Sequence, residues 1–184
     1  MVIRLIDLED GRVISNINFE DLKVLKGCLE EEGPDDVDYY IEMETLSLLK
    51  NKGLNLEVFR VLEEILKTRS SINIGWEQIK EDAEYHLKGK LIWASNSYPA
   101  TGLKIEAYDR DVISDDFLGW SFSHSNGEFE IFFSEKDFKD IRVIDIEGPP
   151  EIILKISDKD KKVLLKTPIR VMAEKTLDFG VILV

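Results

Sequence analysis

The chain has 184 residues, 43% of them hydrophobic, and a formal net charge of −13. This length suits one ample domain or two small ones, and no apolar run approaches the roughly 18 residues of a membrane-spanning helix. Acidic residues outnumber basic ones in both halves of the chain, so we expect neither nucleic acid nor a membrane as a partner.

The first segment is a predicted β-hairpin. Val2 to Leu8 is apolar with charged residues interspersed, Asp10-Gly11 is a strong signal for a tight turn, and Val13 to Ile17 forms the returning strand. These first residues carry acidic side chains where a signal peptide has its apolar stretch, which predicts a cytoplasmic protein.

A helix is predicted after the hairpin. Asn18 stands at the cap position with Asp21 three residues later, a variant of the capping box. Apolar residues then recur at helical spacing until Gly33-Pro34 ends the helix: Leu22, Leu25, Cys28 and Leu29. A single cysteine excludes a disulfide within the chain, and its place on the apolar stripe predicts a buried, unreactive thiol.

The rest of the first half predicts a short strand, two helices and a final strand. The elements are Tyr39-Tyr40-Ile41, a helix from Thr45 to Lys52, a second helix capped by Asn55, and an alternating strand through Ile72, Ile74 and Trp76. One face of the second helix is apolar: Val58, Phe59, Leu62, Ile65 and Leu66. The order ββαβααβ predicts a small α+β domain over residues 1–78 that serves as scaffold or docking surface.

Helical periodicity disappears after the polar stretch Gln78 to Glu84. Short alternating runs follow: His86 to Ala94, Leu103 to Tyr108, Leu118 to His124, Glu128 to Phe133, Ile152 to Ser157, Lys162 to Leu165 and Ile169 to Ala173. About seven short strands separated by turn residues predict an antiparallel β-sandwich over residues 79–184. Asn126-Gly127 is the strongest hairpin signal among these turns.

The order of these pieces carries a family resemblance. The pieces are Gly89-Lys90-Leu91-Ile92, Lys104 to Asp109, Asp115-Asp116 with Leu118-Gly119, Ser125-Asn126-Gly127-Glu128-Phe129, and Pro149-Pro150. Over about residues 86–157 this order resembles the transthyretin-like superfamily, which includes carboxypeptidase regulatory-like domains, and it implies a Greek-key sandwich. Carriers, binding modules and enzymes share that fold, so the resemblance fixes no activity. Its hydrolases and the related intradiol dioxygenases use His, Arg or Tyr sets that this chain, with only His86 and His124, does not match.

Four carboxylates lie within eight residues at one predicted strand-to-loop corner: Asp109, Asp111, Asp115 and Asp116. Alternate residues of a strand point the same way, and calcium takes about six to eight oxygen ligands, so the cluster is a candidate calcium site. The run also resembles the aspartate loop of calcium-binding C2 domains, where a second acidic loop here would have to be Asp158 and Asp160. The alternative is that the aspartates only shape the turn, with Arg110 as a counter-charge.

Six aromatic residues of the second half are predicted to pack in the core or between sheets: Trp93, Trp120, Phe122, Phe129, Phe132 and Phe133. Any of them that is exposed would indicate a surface for a sugar or a peptide.

These features together predict a non-enzymatic binding protein without a cofactor. The sandwich would offer loops or an edge strand to a protein partner or to a second copy of the chain. The apolar segment Thr176 to Val184 is the candidate edge, and it either completes its own sheet or pairs with another subunit. A calcium-binding module using the aspartates is the alternative, and an enzyme of unrecognised type is the second alternative.

Overall fold

The computed structural model describes residues 2–29, 37–80, 82–111, 114–138 and 148–184, so Gly33-Pro34 lie outside the described residues. The first helix ends earlier than predicted, at Cys28, because Leu29 is already extended. The chain divides into two compact units, Met1–Ile79 and Lys80–Val184. Their boundary differs by one residue from that of the predicted domains, 1–78 and 79–184. The described residues form a mostly β structure with three helices and several antiparallel strand pairs.

The first unit contains, in its described residues, a four-stranded antiparallel sheet and three helices. The elements are β1 (Val2–Asp7), β2 (Val13–Ile17), α1 (Phe19–Cys28), β3 (Asp38–Glu42), α2 (Met43–Asn51), α3 (Leu56–Leu66) and β4 (Ser71–Ile79). The strand order across the sheet is β2-β1-β4-β3. The predicted order ββαβααβ is confirmed.

Local signals explain the helix starts. The Asn18 side chain accepts a hydrogen bond from the Asp21 backbone N–H (2.9 Å), and the Asn55 side chain accepts one from the Glu57 backbone N–H (2.8 Å). Both predicted caps are therefore confirmed. The apolar helix faces and alternate strand residues then share one core, which includes Ile3, Leu5, Leu25, Ile41, Leu46, Leu49, Leu62, Ile72 and Ile74. Cys28 packs against this core but is only half-buried.

The second unit is built from strands. They are β5 (Tyr85–Ile92), β6 (Lys104–Asp109), β7 (Asp116–Phe122), β8 (Glu128–Phe133), β9 (Glu151–Ser157), β10 (Val163–Lys166), β11 (Arg170–Val171) and β12 (Thr176–Leu183), with a short 3-10 turn at Glu135–Asp137. Each of the seven predicted runs overlaps one of these strands, with boundaries shifted by up to two residues. The eighth strand, β12, lies in the apolar segment Thr176 to Val184 that the sequence indicates as a candidate edge.

These strands form two sheets with a shared core. One sheet has the order β10-β9-β6-β7, with β11 also paired to β9, and the other has the order β12-β5-β8. Alternate residues of both sheets belong to one buried cluster, which includes Leu87, Leu91, Ile105, Ala107, Leu118, Phe129, Ile131, Phe133, Ile152, Leu154 and Ile156. Burial of every second residue, as the alternating sequence predicted, therefore holds these strands together.

Two predicted features of this unit are wrong. Asn126-Gly127 does not close a β-hairpin, because β7 pairs with β6 whereas β8 pairs with β5 in the other sheet. The strands were expected to be antiparallel throughout, but β12 pairs with β5 in parallel, from Thr176 opposite His86 to Leu183 opposite Ile92. The strand before β12 is β11, which belongs to the other sheet. Because no hairpin joins β12 to β5, nothing in the connection imposes antiparallel pairing.

The predicted aromatic core is confirmed in part. Phe122, Phe129 and Phe133 are buried, whereas Trp93, Trp120 and Phe132 are only half-buried.

None of the described helices is long and apolar enough to cross a membrane.

Candidate functional site

The predicted aspartate corner (Asp109, Asp111, Asp115 and Asp116) lies where β6 ends and β7 begins. Asp109 and Asp116 are directly opposite each other in the β6–β7 pair. Together with Asp111 they line a recess of about 270 Å³ that also includes Arg110 and Glu151. Asp115 is exposed and does not line this recess.

Asp109 has a structural partner in this corner. Its Oδ1 accepts a hydrogen bond from the Glu151 backbone N–H (2.7 Å), and the Arg110 backbone N–H donates to the Glu151 carbonyl (2.9 Å). These two bonds fix the end of β6 to the start of β9. Asp109 therefore has a structural role that links two strands, which differs from the local turn role that the sequence predicts.

The second acidic loop lies at the other end of the sheet. Asp109 is opposite Ile152 in the β6–β9 pair, whereas Lys104 is opposite Ser157, the last residue before Asp158. At a rise of roughly 3.3 Å per residue these two ends are about 15–20 Å apart. The Asp158 side chain accepts hydrogen bonds from the backbone N–H groups of Asp160 and Lys162, so it shapes its own turn. Asp158 and Asp160 therefore do not complete a site at the aspartate corner.

Metal binding at the corner stays a prediction. Across the part of the chain that the structure describes, no group of three or more His, Cys, Asp or Glu side chains is arranged to hold a metal ion. Residues 112–113, inside the corner, and 139–147, which precede Gly148 in the recess, lie outside that part.

The terminal strand β12 completes its own sheet, and no other described strand pairs with its second edge. Both backbone groups of Val184 bond the β5 side: its N–H donates to the Ile92 carbonyl and its carbonyl accepts from the Ala94 N–H, each at 3.0 Å. Backbone direction alternates along a strand, so the backbone groups of Val181 and Leu183 point away from β5. Among the described strands β12 pairs only with β5. We call the outward side of Val181 to Leu183 the free edge.

The free edge also exposes apolar side chains. Val181 is 61% exposed and Leu183 is 59% exposed. The register of β12 against β5 is irregular between Asp178 and Val181. Before this irregularity, the Asp178 carbonyl points outward and accepts a hydrogen bond from Arg170 Nη1 (3.0 Å). That contact protects the first part of the edge and leaves the stretch from Val181 to Leu183 open.

A cleft of about 480 Å³ lies on the β12-β5-β8 sheet and includes one of the two histidines. It is lined by His124 with Lys88, Lys90, Glu128, Glu130 and Asp178, among others, and the residues that line it include no Ser, Thr or Cys. The other histidine, His86, stacks on Phe132 with ring centroids 4.4 Å apart, and its Nε2 lies 3.2 Å from Glu130 Oε1. The cleft thus offers charged side chains but no nucleophilic hydroxyl or thiol.

The outward face of the β6–β7 pair carries three aromatic side chains, Tyr108, Phe117 and Trp120, which we call the aromatic ridge. Tyr108 and Phe117 are opposite each other, and Trp120 is opposite Glu106. A bulge places both Leu118 and Gly119 opposite Ala107, and Gly119 has a φ of +147°, a conformation that favours glycine. Because of this extra residue, Phe117 and Trp120 share one face although an odd number of steps, three, leads from one to the other along the strand.

An ion-paired trio adjoins the aromatic ridge. Lys155 Nζ lies 2.7 Å from Glu106 Oε2, and Lys104 Nζ lies 3.2 Å from Glu106 Oε1. Burial raises the pKa of the Glu106 carboxyl, but the hydrogen bond from Lys155 and the two positive charges outweigh it, so that pKa is below its usual range. The hydrogen bond to Glu106 likewise raises the pKa of Lys155.

The sequence pattern alone does not reveal the aromatic ridge, and it predicts Trp120 in the core. Phe117 is 46% exposed. The signal available was Gly119 between them, since an isolated glycine in a strand pattern suggests a bulge. The free edge, in contrast, lies in the segment that the sequence indicated.

Comparisons with known proteins give no family. No family model matches the chain, and no curated protein matches it. Among solved structures the chain is similar to a 9R-lipoxygenase from Cyanothece PCC8801, with 19% identity and a TM-score of 0.40, over 89% of this chain and 23% of that one. It is also similar to an (S)-allantoin synthase, with 9% identity and a TM-score of 0.38, over 76% of this chain and 50% of that one. Both TM-scores are too low to assign a fold or an activity.

Proposed function

We propose that this is a non-enzymatic interaction protein whose free edge binds an extended segment of a partner protein. In this proposal the second unit is a transthyretin-like, Greek-key β-sandwich, which is supported by the two sheets that share one core and by the strand order within them. The observation that carries the binding function is the one-sided pairing of β12. We further propose that the protein acts in the cytoplasm.

The binding mode is addition of a strand to an existing sheet. Outward N–H and C=O groups at Val181 and Leu183 supply backbone hydrogen bonds, which give affinity without requiring a particular partner sequence. The exposed side chains of the same two residues are covered when a partner strand pairs, and this adds apolar burial. Arg170, bonded to the Asp178 carbonyl, limits the added strand to the last residues of β12.

The first unit would supply a second docking surface. It is the more acidic of the two, with 17 acidic and 9 basic residues before Gln78. Such an excess favours partners with basic surfaces and raises their rate of encounter, rather than nucleic acid or an anionic membrane.

Charged substitutions at the free edge test the proposal. Val181→Lys with Leu183→Lys places ammonium groups on the edge while leaving the β5-facing residues unchanged, a change that natural edge strands use to prevent pairing. Leu56→Lys, at an equally exposed position in α3 (59%), is the matched control. We expect the wild type and the control to capture the same partner from a native extract, or to form the same self-associated species in light scattering, and the double variant to lose it. Equal capture and association by all three proteins would contradict the proposal.

Truncation after Lys175 separates the structural role of β12 from its binding role. The truncation removes Phe179, which lies in the core, together with the whole β5–β12 pairing. We therefore expect the second unit to unfold, as measured by loss of its cooperative thermal transition. A truncated protein that stays folded and loses only its partner would mean that β12 is an accessory strand.

Calcium binding is a second candidate function because one recess collects Asp109, Asp111 and Asp116. Calcium prefers such carboxylate oxygens. Calorimetry with calcium, repeated on Asp109→Asn with Asp111→Asn, tests it: binding heat and a raised melting temperature in the wild type alone would support a site. Absence of heat in the wild type would leave the corner with a structural role only.

A further inference from the structure

The open part of the free edge is short because contacts within the chain close the rest of it. The Asp178 carbonyl accepts a hydrogen bond from Arg170 Nη1 (3.0 Å), and Asp178 Oδ1 accepts one from the Gly180 N–H (2.7 Å). A partner strand that ran along the whole of β12 would have to displace Arg170. A partner strand whose own open stretch is equally short would not.

The backbone of this open stretch is self-complementary about Ile182. The N–H and C=O groups of Val181 and Leu183 point outward, and those of Ile182 between them point to β5. If a second copy pairs antiparallel about a two-fold axis at Ile182, Val181 of each copy lies opposite Leu183 of the other. Residues opposite each other in such a rung exchange both N–H···O=C bonds. This register therefore satisfies the outward groups of both residues in both copies.

Other symmetric registers satisfy less of the edge. An axis at Val181 would pair this residue with itself and place Leu183 opposite residue 179, on the closed side of the edge. An axis at Leu183 would pair only Leu183 within the open stretch. The stretch thus has one symmetric register that uses all of its outward backbone groups.

The side chains are compatible with the same register. On the outer face the exposed Val181 and Leu183 would cover each other across the axis. A residue on a two-fold axis meets its own counterpart, so a charged side chain there would be repelled, whereas Ile182 is apolar. The first charge on the rung of Val181 is Lys90 in β5, which is opposite Glu128 of the same copy. No charged side chain of these rungs therefore faces its like across the axis.

We infer that the strand that binds the free edge is β12 of a second copy of this chain, paired antiparallel about Ile182. The inference rests on the proposed function of the free edge and names its partner. Stable dimers bury about 1,200–2,000 Å² of surface, far more than the outward sides of three residues, so this dimer is weak and reversible, with a Kd on the order of 0.1–1 mM. Each copy carries −13, so salt strengthens the pairing by screening their repulsion, whereas salt weakens binding to a basic partner.

Disulfide cross-linking tests the register. Val181→Cys and Leu183→Cys are made in separate proteins, both with Cys28→Ser because Cys28 is the only native cysteine. In the inferred register the two new cysteines face each other with Cα atoms about 5.5 Å apart, a distance that a disulfide spans. We expect an equimolar mixture to cross-link about tenfold faster than either protein alone, in which each cysteine faces a native residue. Val13→Cys in the same background, at a 49% exposed position of β2, measures random collisions. A mixture that cross-links no faster than the separate proteins would overturn the inference.

Light scattering of the purified chain at up to about 1 mM measures the association itself. We expect the wild type and Leu56→Lys to form a concentration-dependent dimer that strengthens between about 0.05 and 0.5 M salt, and Val181→Lys with Leu183→Lys to stay monomeric. A dimer that persists in the double variant, or that weakens with salt, would overturn the inference.

Failure of the inference is distinguishable from failure of the proposed function. A wild type that stays monomeric when pure overturns self-pairing. If the same wild type captures another protein from an extract and the double variant does not, the strand-binding function of the free edge stands with a different partner. If neither captures a protein, both proposals are rejected.

Discussion

The carboxylate of Asp21 in α1 accepts a hydrogen bond from the backbone N–H of Asn55 (3.1 Å), the residue that caps α3. Asp21 itself is buried, and its own backbone N–H is bonded to the Asn18 side chain. Asp21, which the sequence predicts as the capping-box residue of α1, therefore also links α1 to the start of α3.

Asp21→Ala should destabilise the first unit by about 1–2 kcal/mol, because it leaves the Asn55 N–H without its acceptor. Urea unfolding should show a lower midpoint with an unchanged slope. Glu20→Ala is the control, since Glu20 is the neighbouring carboxylate and its partner Lys23 is exposed. Equal midpoints for the two variants would mean that the Asp21–Asn55 bond contributes little.

Arg69→Ala should be more damaging. Arg69 Nη1 lies 2.7 Å from Asp7 Oδ2, whose side chain is 2% exposed, and the same guanidinium also reaches Glu9. The bond to Asp7 raises the pKa of Arg69, and its removal leaves a buried carboxylate without its cation, at a cost of roughly 2–4 kcal/mol. Thermal unfolding of Arg12→Ala provides the comparison: its pair with Asp10 is exposed, so we expect a loss below about 1 kcal/mol. A larger loss of stability for Arg12→Ala than for Arg69→Ala would contradict a stabilising role for the Arg69–Asp7 pair.

Glu106→Gln should remove a pH-dependent part of the stability of the second unit. Because the pKa of Glu106 is lowered in the folded state, its contribution is present above the unfolded pKa, near about 4.3, and is lost as the pH falls through the folded pKa. We expect a difference from wild type of roughly 1–2 kcal/mol at neutral pH that shrinks as the pH falls below the unfolded pKa, measured by chemical unfolding across this range. Glu128→Gln, at an exposed position of β8, controls for loss of one carboxylate. A stability difference between wild type and Glu106→Gln that stays constant with pH would contradict the assignment of this pH dependence to Glu106.

Asp109→Ala should lower stability by about 1 kcal/mol in calcium-free buffer, because the Glu151 N–H loses its acceptor. Asp115→Ala, at an exposed position outside the recess, should change stability by less than about 0.5 kcal/mol. Differential scanning calorimetry distinguishes the two. Equal melting temperatures for Asp109→Ala and Asp115→Ala would mean that the Asp109 side chain does not stabilise the corner.

The order of elements followed from local sequence because the signals act between near neighbours. Asn18 and Asn55 cap helices through N–H groups two or three residues away, and the alternating runs around β8 bury every second residue. A turn forms at Asn126-Gly127, with a φ of +81° at Gly127, but it connects β7 to β8 in different sheets and is not the predicted hairpin. The same glycine meets a further requirement, since a Cβ there would lie 2.3 Å from the Leu91 carbonyl oxygen. That second reason is not visible in the sequence, because Leu91 belongs to another strand.

The sequence by itself determined the elements, their caps and turns, and the alternation that separates buried from exposed residues. Only the tertiary structure decided that β12 pairs with β5 in parallel, that Asp21 bonds Asn55, that Asp158 lies far from Asp109, and that a bulge brings Phe117 and Trp120 to one face. The physical reason is range. Propensity and side-chain alternation depend on adjacent residues, whereas strand register and hydrogen-bond partners depend on which distant segments best satisfy one another when the core closes.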